Sequence, residues 1–159
     1  MGTSFVNIGD NGFWVNDSVL ELWLRLLSLH IEDPNDLDST DEKLLKAEIR
    51  DNWLLQSRGY FSGCVSVELD YYIKSSEGRK IIADAISSLM EALSKSPDKL
   101  SREVINVLGI DGLYQTDIET WRLVEVGHAF IDLIDGKVHY KSDNSAFMPG
   151  SGDRKHYNI

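Results

Sequence analysis

DSVLELWLRLLSLHI, residues 17–31, is the stretch whose reading decides the fold. Its polar residues Ser18, Glu21, Arg25 and Ser28, continued by Glu32, recur at three- to four-residue spacing and form one narrow stripe on a helix. From Val19 to Ile31 the other positions are Val, Leu, Trp or Ile, with His30 the single exception. A helix apolar on most of its circumference belongs at the centre, with other elements packed around it. Asp17 or Ser18 is placed to cap its start, and Pro34 closes it. The apolar run is too short to span a bilayer and carries Glu21 and Arg25.

Working outward, the spacing predicts a second helix over about residues 41–58, with Leu45, Ile49 and Trp53 on one face and Gly59 to stop it. Residues 60–71 change period. Val65, Val67, Leu69 and Tyr71 alternate with Ser66, Glu68 and Asp70, the pattern of a short strand or extended segment. An amphipathic helix follows over 76–95, with Ile81, Ile82, Ala85, Ile86, Leu89 and Leu93 on one face. A short helix is expected over 101–108. Thr116-Asp-Ile-Glu119 reads as a capping box for a last long helix over 117–135, with Gly136 just past its end. Residues 137–140 read as a short strand. Ahead of the central helix, Gly9-Asp10-Asn11-Gly12 is a turn signal followed by Phe13-Trp14. The expected fold is mainly α: one domain over residues 1–150, a bundle of about five helices with minor extended structure. Residues 151–159 read as a flexible polar tail.

Charge is unevenly spread. Residues 1–42 hold nine acids against one base, whereas the other 117 residues hold 17 acids and 15 bases. Glu32, Asp33, Asp36, Asp38, Asp41 and Glu42 follow one another with no positive charge between them. Such a segment repels nucleic acid and anionic membrane and attracts a basic partner. A fixed cluster of carboxylates can imitate a phosphate backbone and raise association rates by roughly 10- to 1,000-fold at low salt. These six residues are the candidate partner contacts, chosen on charge alone. The plainer reading of the same segment is a solvated loop that aids solubility.

Catalytic signatures are lacking. The sequence contains no phosphate-binding glycine loop, no Gly-x-Ser-x-Gly, no His-Glu-x-x-His and no paired Cys-x-x-Cys. The single cysteine, Cys64, cannot form an internal disulfide; it fits a reducing compartment and reads as a small buried hydrophobe. The N-terminal residues show no signal-peptide pattern, so the expected location is the cytoplasm. Glu125, His128 and Asp132 share one side of the last helix, and Glu125-x-x-His128 has di-iron spacing. A second copy of that motif is absent, and a solvated acidic face is the better account. His30 lies with Trp23, Leu26 and Leu27, where a hydrogen-bonded core histidine is favoured over a general base. Asn52 and Gln56 share the apolar side of the second helix and either bond the irregular backbone after Gly59 or line a cleft. No catalytic residue, metal or cofactor is expected. The remaining alternatives are an acidic scaffold or adaptor and, below it, a small metal- or histidine-dependent enzyme.

Four stretches carry a family resemblance: Gly12-Phe-Trp-Val with Asp17-Ser-Val-Leu-Glu-Leu-Trp-Leu-Arg-Leu-Leu; Ile49-Arg-Asp-Asn-Trp-Leu-Leu-Gln-Ser-Arg-Gly-Tyr-Phe-Ser-Gly-Cys; Asp117-Ile-Glu-Thr-Trp-Arg-Leu-Val-Glu-Val-Gly; and Phe147-Met-Pro-Gly. Together they resemble bacterial immunity proteins paired with contact-dependent growth inhibition toxins. The resemblance implies a protein that binds the toxic C-terminal domain of a cognate toxin in the cytoplasm and blocks it without catalysis. Many such toxins are nucleases with basic grooves, which an acidic inhibitor suits. The family offers no residue motif to carry over. Trp14 and Trp121 are aromatic residues that could serve as anchors.

Overall fold

The computed structural model describes residues 2–109, 114–143 and 147–151. The chain opens with a hairpin in the region read only as a turn. Strand β1 (Thr3–Ile8) pairs antiparallel with β2 (Asn11–Asn16), with Val6 opposite Phe13 and Ile8 opposite Asn11. Gly9 and Asp10 form a two-residue loop in which Gly9 takes φ 60°, the left-handed first position such loops require. Alternation buries Ser4, Val6, Phe13 and Val15 and leaves Phe5, Asn7 and Trp14 half-buried on the outer face.

Helix α1 (Asp17–Leu29) follows without a loop. Asn16 caps it, accepting from the Ser18 N–H, in place of the expected Asp17 or Ser18. Asp17 has other partners. Its buried carboxylate accepts from Ser4 Oγ at 2.5 Å and from the Gly63 N–H at 2.6 Å, so it joins hairpin, helix and the segment after residue 60.

The chain continues through α2 (Thr40–Gln56), α3 (Leu69–Tyr72), α4 (Ser76–Ser94), β3 (Lys99–Leu100), α5 (Arg102–Val107), β4 (Ile118–Glu119) and α6 (Thr120–Ile134). Six helices and two two-stranded sheets are therefore present among the described residues. The architecture is helix-rich and mixed, not the five-helix bundle expected. Helices α2, α4 and α6 and the hairpin pack against α1, where Val19, Leu20, Leu22, Trp23, Leu24 and Leu27 are fully buried. The Trp23 ring lies 5.6 Å from Phe130, and Phe13 lies 5.9 Å from both Phe130 and Phe147. At the α4–α6 crossing Gly127 permits close approach, since a Cβ there would meet Met90 Sδ and lie 2.9 Å from the Trp23 ring.

Three expectations give way to the structure. Residues 60–68 form no strand. Val65, Val67 and Leu69 are buried as the alternation implied, but Tyr71 is exposed because α3 replaces the alternation from Leu69 and buries Tyr72 instead, and side chains satisfy the backbone where a ladder would. Ser4 Oγ accepts from the Val65 N–H, Gln56 Oε1 accepts from the Ser66 N–H, and Trp53 Nε1 donates to the Val67 carbonyl. The capping box at Thr116 does not start α6. Asp117 instead accepts from the Arg102 N–H, and the β3–β4 pairing holds residues 118–119 extended until Thr120. Residues 137–140 are not a strand either, although the Tyr140 carbonyl accepts the Gly12 N–H at 2.7 Å on the free edge of β2. The tail expected over 151–159 falls outside the described residues after Ser151. No helix among the described residues is long and apolar enough to cross a membrane.

Candidate partner-binding cleft

Beyond α1 the chain turns out of the core at His30 and enters the acidic segment, which α2 holds down with two cations. Arg50 donates to the Ile31 carbonyl at 2.6 Å and pairs with Asp33 at 3.0 Å. Lys46, only 8% exposed, places its ammonium 2.8 Å from Asp38. Within the loop, Asn35 Oδ1 accepts from the Leu37 N–H and Asp38 Oδ2 from the Asn35 N–H, a local turn built by short polar side chains. Ser39 then accepts from the Glu42 N–H and starts α2.

The loop and the first turns of α2 face α4 across a cleft of about 360 Å³. Glu32, Asp38, Glu42 and Lys46 line one wall; Glu77, Lys80, Asp84 and Ser88 line the other, with His30 between them. Five carboxylates thus share the cleft with two ammonium groups. Each lysine is already paired, Lys46 with Asp38 and Lys80 with Asp84 at 2.7 Å. Glu32, Glu42 and Glu77 have no cation within 4 Å among the described residues, so the cleft carries negative potential that a basic group would complete. The Lys46 ammonium, followed by the Asn35 N–H, holds the Asp38 carboxyl below its usual range. Burial lowers the His30 imidazole below its ordinary value, and Nδ1 lies 2.8 Å from Ser88 Oγ. The hydrogen bond expected of a core histidine is present, but the ring is half-buried and lines the acidic cleft.

Of the six charge-selected residues, the structure brings Glu32, Asp38 and Glu42 together. Asp33 is turned onto Arg50, and Asp36 and Asp41 are exposed away from the cleft lining. Sequence reasoning missed the second wall. Glu77, Lys80, Asp84 and Ser88 follow one another at helical spacing along α4, a stripe readable as a face, but its position opposite the loop comes from the α2–α4 packing.

The other candidates are dispersed. Glu125 accepts from the Gly150 N–H at 3.4 Å, while His128 and Asp132 are exposed. Among the described residues no group of three or more His, Cys, Asp or Glu is placed to hold a metal ion. Cys64 is exposed and not buried, because it occupies an outward position of the extended segment whose Val65 points inward. Gln56 bonds backbone, at Ser66, whereas the buried Asn52 Nδ2 has no partner among the described residues. Trp14 is half-buried with Nε1 donating to the Ser142 carbonyl, and Trp121 is half-buried beside Thr120 and Pro97. Comparison of the chain with protein-family models, with curated proteins and with solved structures returned no match.

Proposed function

We propose that this chain is a protein inhibitor of the immunity type. It binds a basic toxin domain through the α2–α4 cleft and neutralises it without catalysis, in the cytoplasm. The observation that carries the reading is the convergence of Glu32, Asp38 and Glu42 with Glu77 and Asp84 on one cleft whose lysines are already paired. Carboxylates spaced along such walls can take the places that nucleic-acid phosphates occupy in a nuclease groove, and the occluded groove no longer admits substrate. The resemblance of the four quoted stretches, spread over most of residues 12–150, to growth-inhibition immunity proteins supports the same partner class. The test is co-expression with the toxin domain encoded immediately upstream, scored by growth and co-purification. Growth rescue with a stable, salt-sensitive complex is the expected result. An active toxin with neither rescue nor complex would overturn the proposal.

A further inference from the structure

A second groove, of about 380 Å³, runs between the outer edge of β1 and residues 63–70, the extended segment together with the start of α3. The hairpin register determines which backbone groups border it. With a two-residue loop, Ile8–Asn11, Val6–Phe13 and Ser4–Val15 are the hydrogen-bonded pairs, so Phe5 and Asn7 turn their N–H and C=O groups away from β2. The same phase turns the Gly12 N–H outward on the opposite edge, where it finds the Tyr140 carbonyl. At the loop the Gly9 N–H finds the Asp70 carboxylate at 2.8 Å. The N–H groups of Phe5 and Asn7 have no partner among the described residues. An unpaired strand edge is a template for another strand.

The groove is suited to one kind of segment. The rings of Phe5 and Trp14, 5.2 Å apart, give it an aromatic side. Cys64, Ser66, Glu68 and Asp70 line the opposite side, with Val65, Val67 and Leu69 turned into the core. Glu68 adopts φ 59°, a left-handed conformation uncommon for a residue with a side chain, and its carboxylate accepts only from Ser66 Oγ at 2.8 Å among the described residues.

We propose that this groove docks an extended segment of the basic partner, which adds a strand to the β1 edge. The inference rests on the protein-inhibitor reading and adds a second contact outside the acidic cleft. Partner main-chain groups pair with Phe5 and Asn7, an apolar side chain lies on the Phe5–Trp14 rings, and a lysine or arginine meets Glu68. Main-chain pairing supplies affinity here, and the charge at Glu68 selects the segment.

The experiment is amide hydrogen exchange on the full chain, alone and in complex with the toxin domain encoded upstream. Exchange at both Phe5 and Asn7 is expected to slow at least tenfold in the complex. Glu68→Arg is expected to weaken binding at least tenfold, with thermal unfolding of the free protein measured alongside to confirm that the variant is folded. A complex that leaves both amides unprotected overturns the groove and spares the acidic cleft. Unchanged affinity in a folded Glu68→Arg variant overturns the basic contact. No complex at all overturns the inhibitor reading together with this inference.

Discussion

Glu21 gives the sharpest test of the physical account of this fold. It lies on α1 one turn after Asp17 and is 8% exposed. Burial, and then the Asp17 charge, pushes its carboxyl from 4.5 up to about 7. The folded protein therefore holds a proton on Glu21 across a pH range in which the unfolded chain has released it. Stability is highest below pH 4.5 as far as this group is concerned, falls as the pH rises towards 7, and levels off above that. At 1.36 kcal/mol per pH unit, the full displacement corresponds to a ceiling of about 3 kcal/mol. Glu21→Gln keeps the shape and removes the titration. The buried amide retains part of the desolvation cost, so the variant is expected to be more stable than the natural protein by about 2 kcal/mol at pH 8 and by almost nothing at pH 4.5. Urea unfolding from pH 4.5 to 8 reads this directly, with an unchanged denaturant slope confirming that only stability has moved. Parallel stability curves for the two proteins would refute the assignment of a raised pKa to Glu21.

Asp17→Asn removes the charged acceptor for Ser4 Oγ and the Gly63 N–H and is expected to cost about 2 kcal/mol in urea unfolding. The same change should move the pH window of the Glu21 effect downward, because the second cause of its raised pKa is gone. Lys46→Met strips Asp38 of its ammonium partner. The natural protein loses the stability from this lowered carboxyl as pH falls through its folded value, and the variant, left with only the Asn35 N–H and the more distant Lys43 charge, should show a smaller acid-side loss, with faster amide exchange at Leu37 and Asp38. Trp53→Phe leaves the Val67 carbonyl without its donor and should destabilise by about 1–2 kcal/mol in urea unfolding. Converting Glu32, Glu42 and Glu77 to glutamine and Asp84 to asparagine should slow association with the basic domain about tenfold or more, flatten its salt dependence in stopped-flow mixing, and speed dissociation.

The central helix was legible because its pattern is local: one polar stripe, Pro34 beyond it and thirteen residues of α1 in the structure. Helix α4 was legible for the same reason. The hairpin was missed although Gly9 and Asp10 separate Phe5-Val-Asn-Ile8 from Asn11-Gly-Phe-Trp-Val15, because the four-residue turn signal was not divided into loop and strand. Over residues 65–69 the alternation identified the buried side chains and misjudged the backbone, whose partners Ser4, Gln56 and Trp53 are distant in sequence. The cleft was half legible. Charge density marked Glu32, Asp38 and Glu42, but only packing puts Glu77 and Asp84 opposite them.

The clamping of residues 31–38 by Lys46 and Arg50 has a consequence for recognition. A loop that is free in solution must be ordered on binding, at about 0.5–1.5 kcal/mol for each side chain immobilised. Here the ordering of Asp38 and of the turn around Asn35 has already taken place during folding. For the proposed partner, most of the attraction generated at this end of the cleft would then be retained as affinity. Association of such a surface follows rigid-body kinetics, limited by encounter and orientation and not by a conformational search.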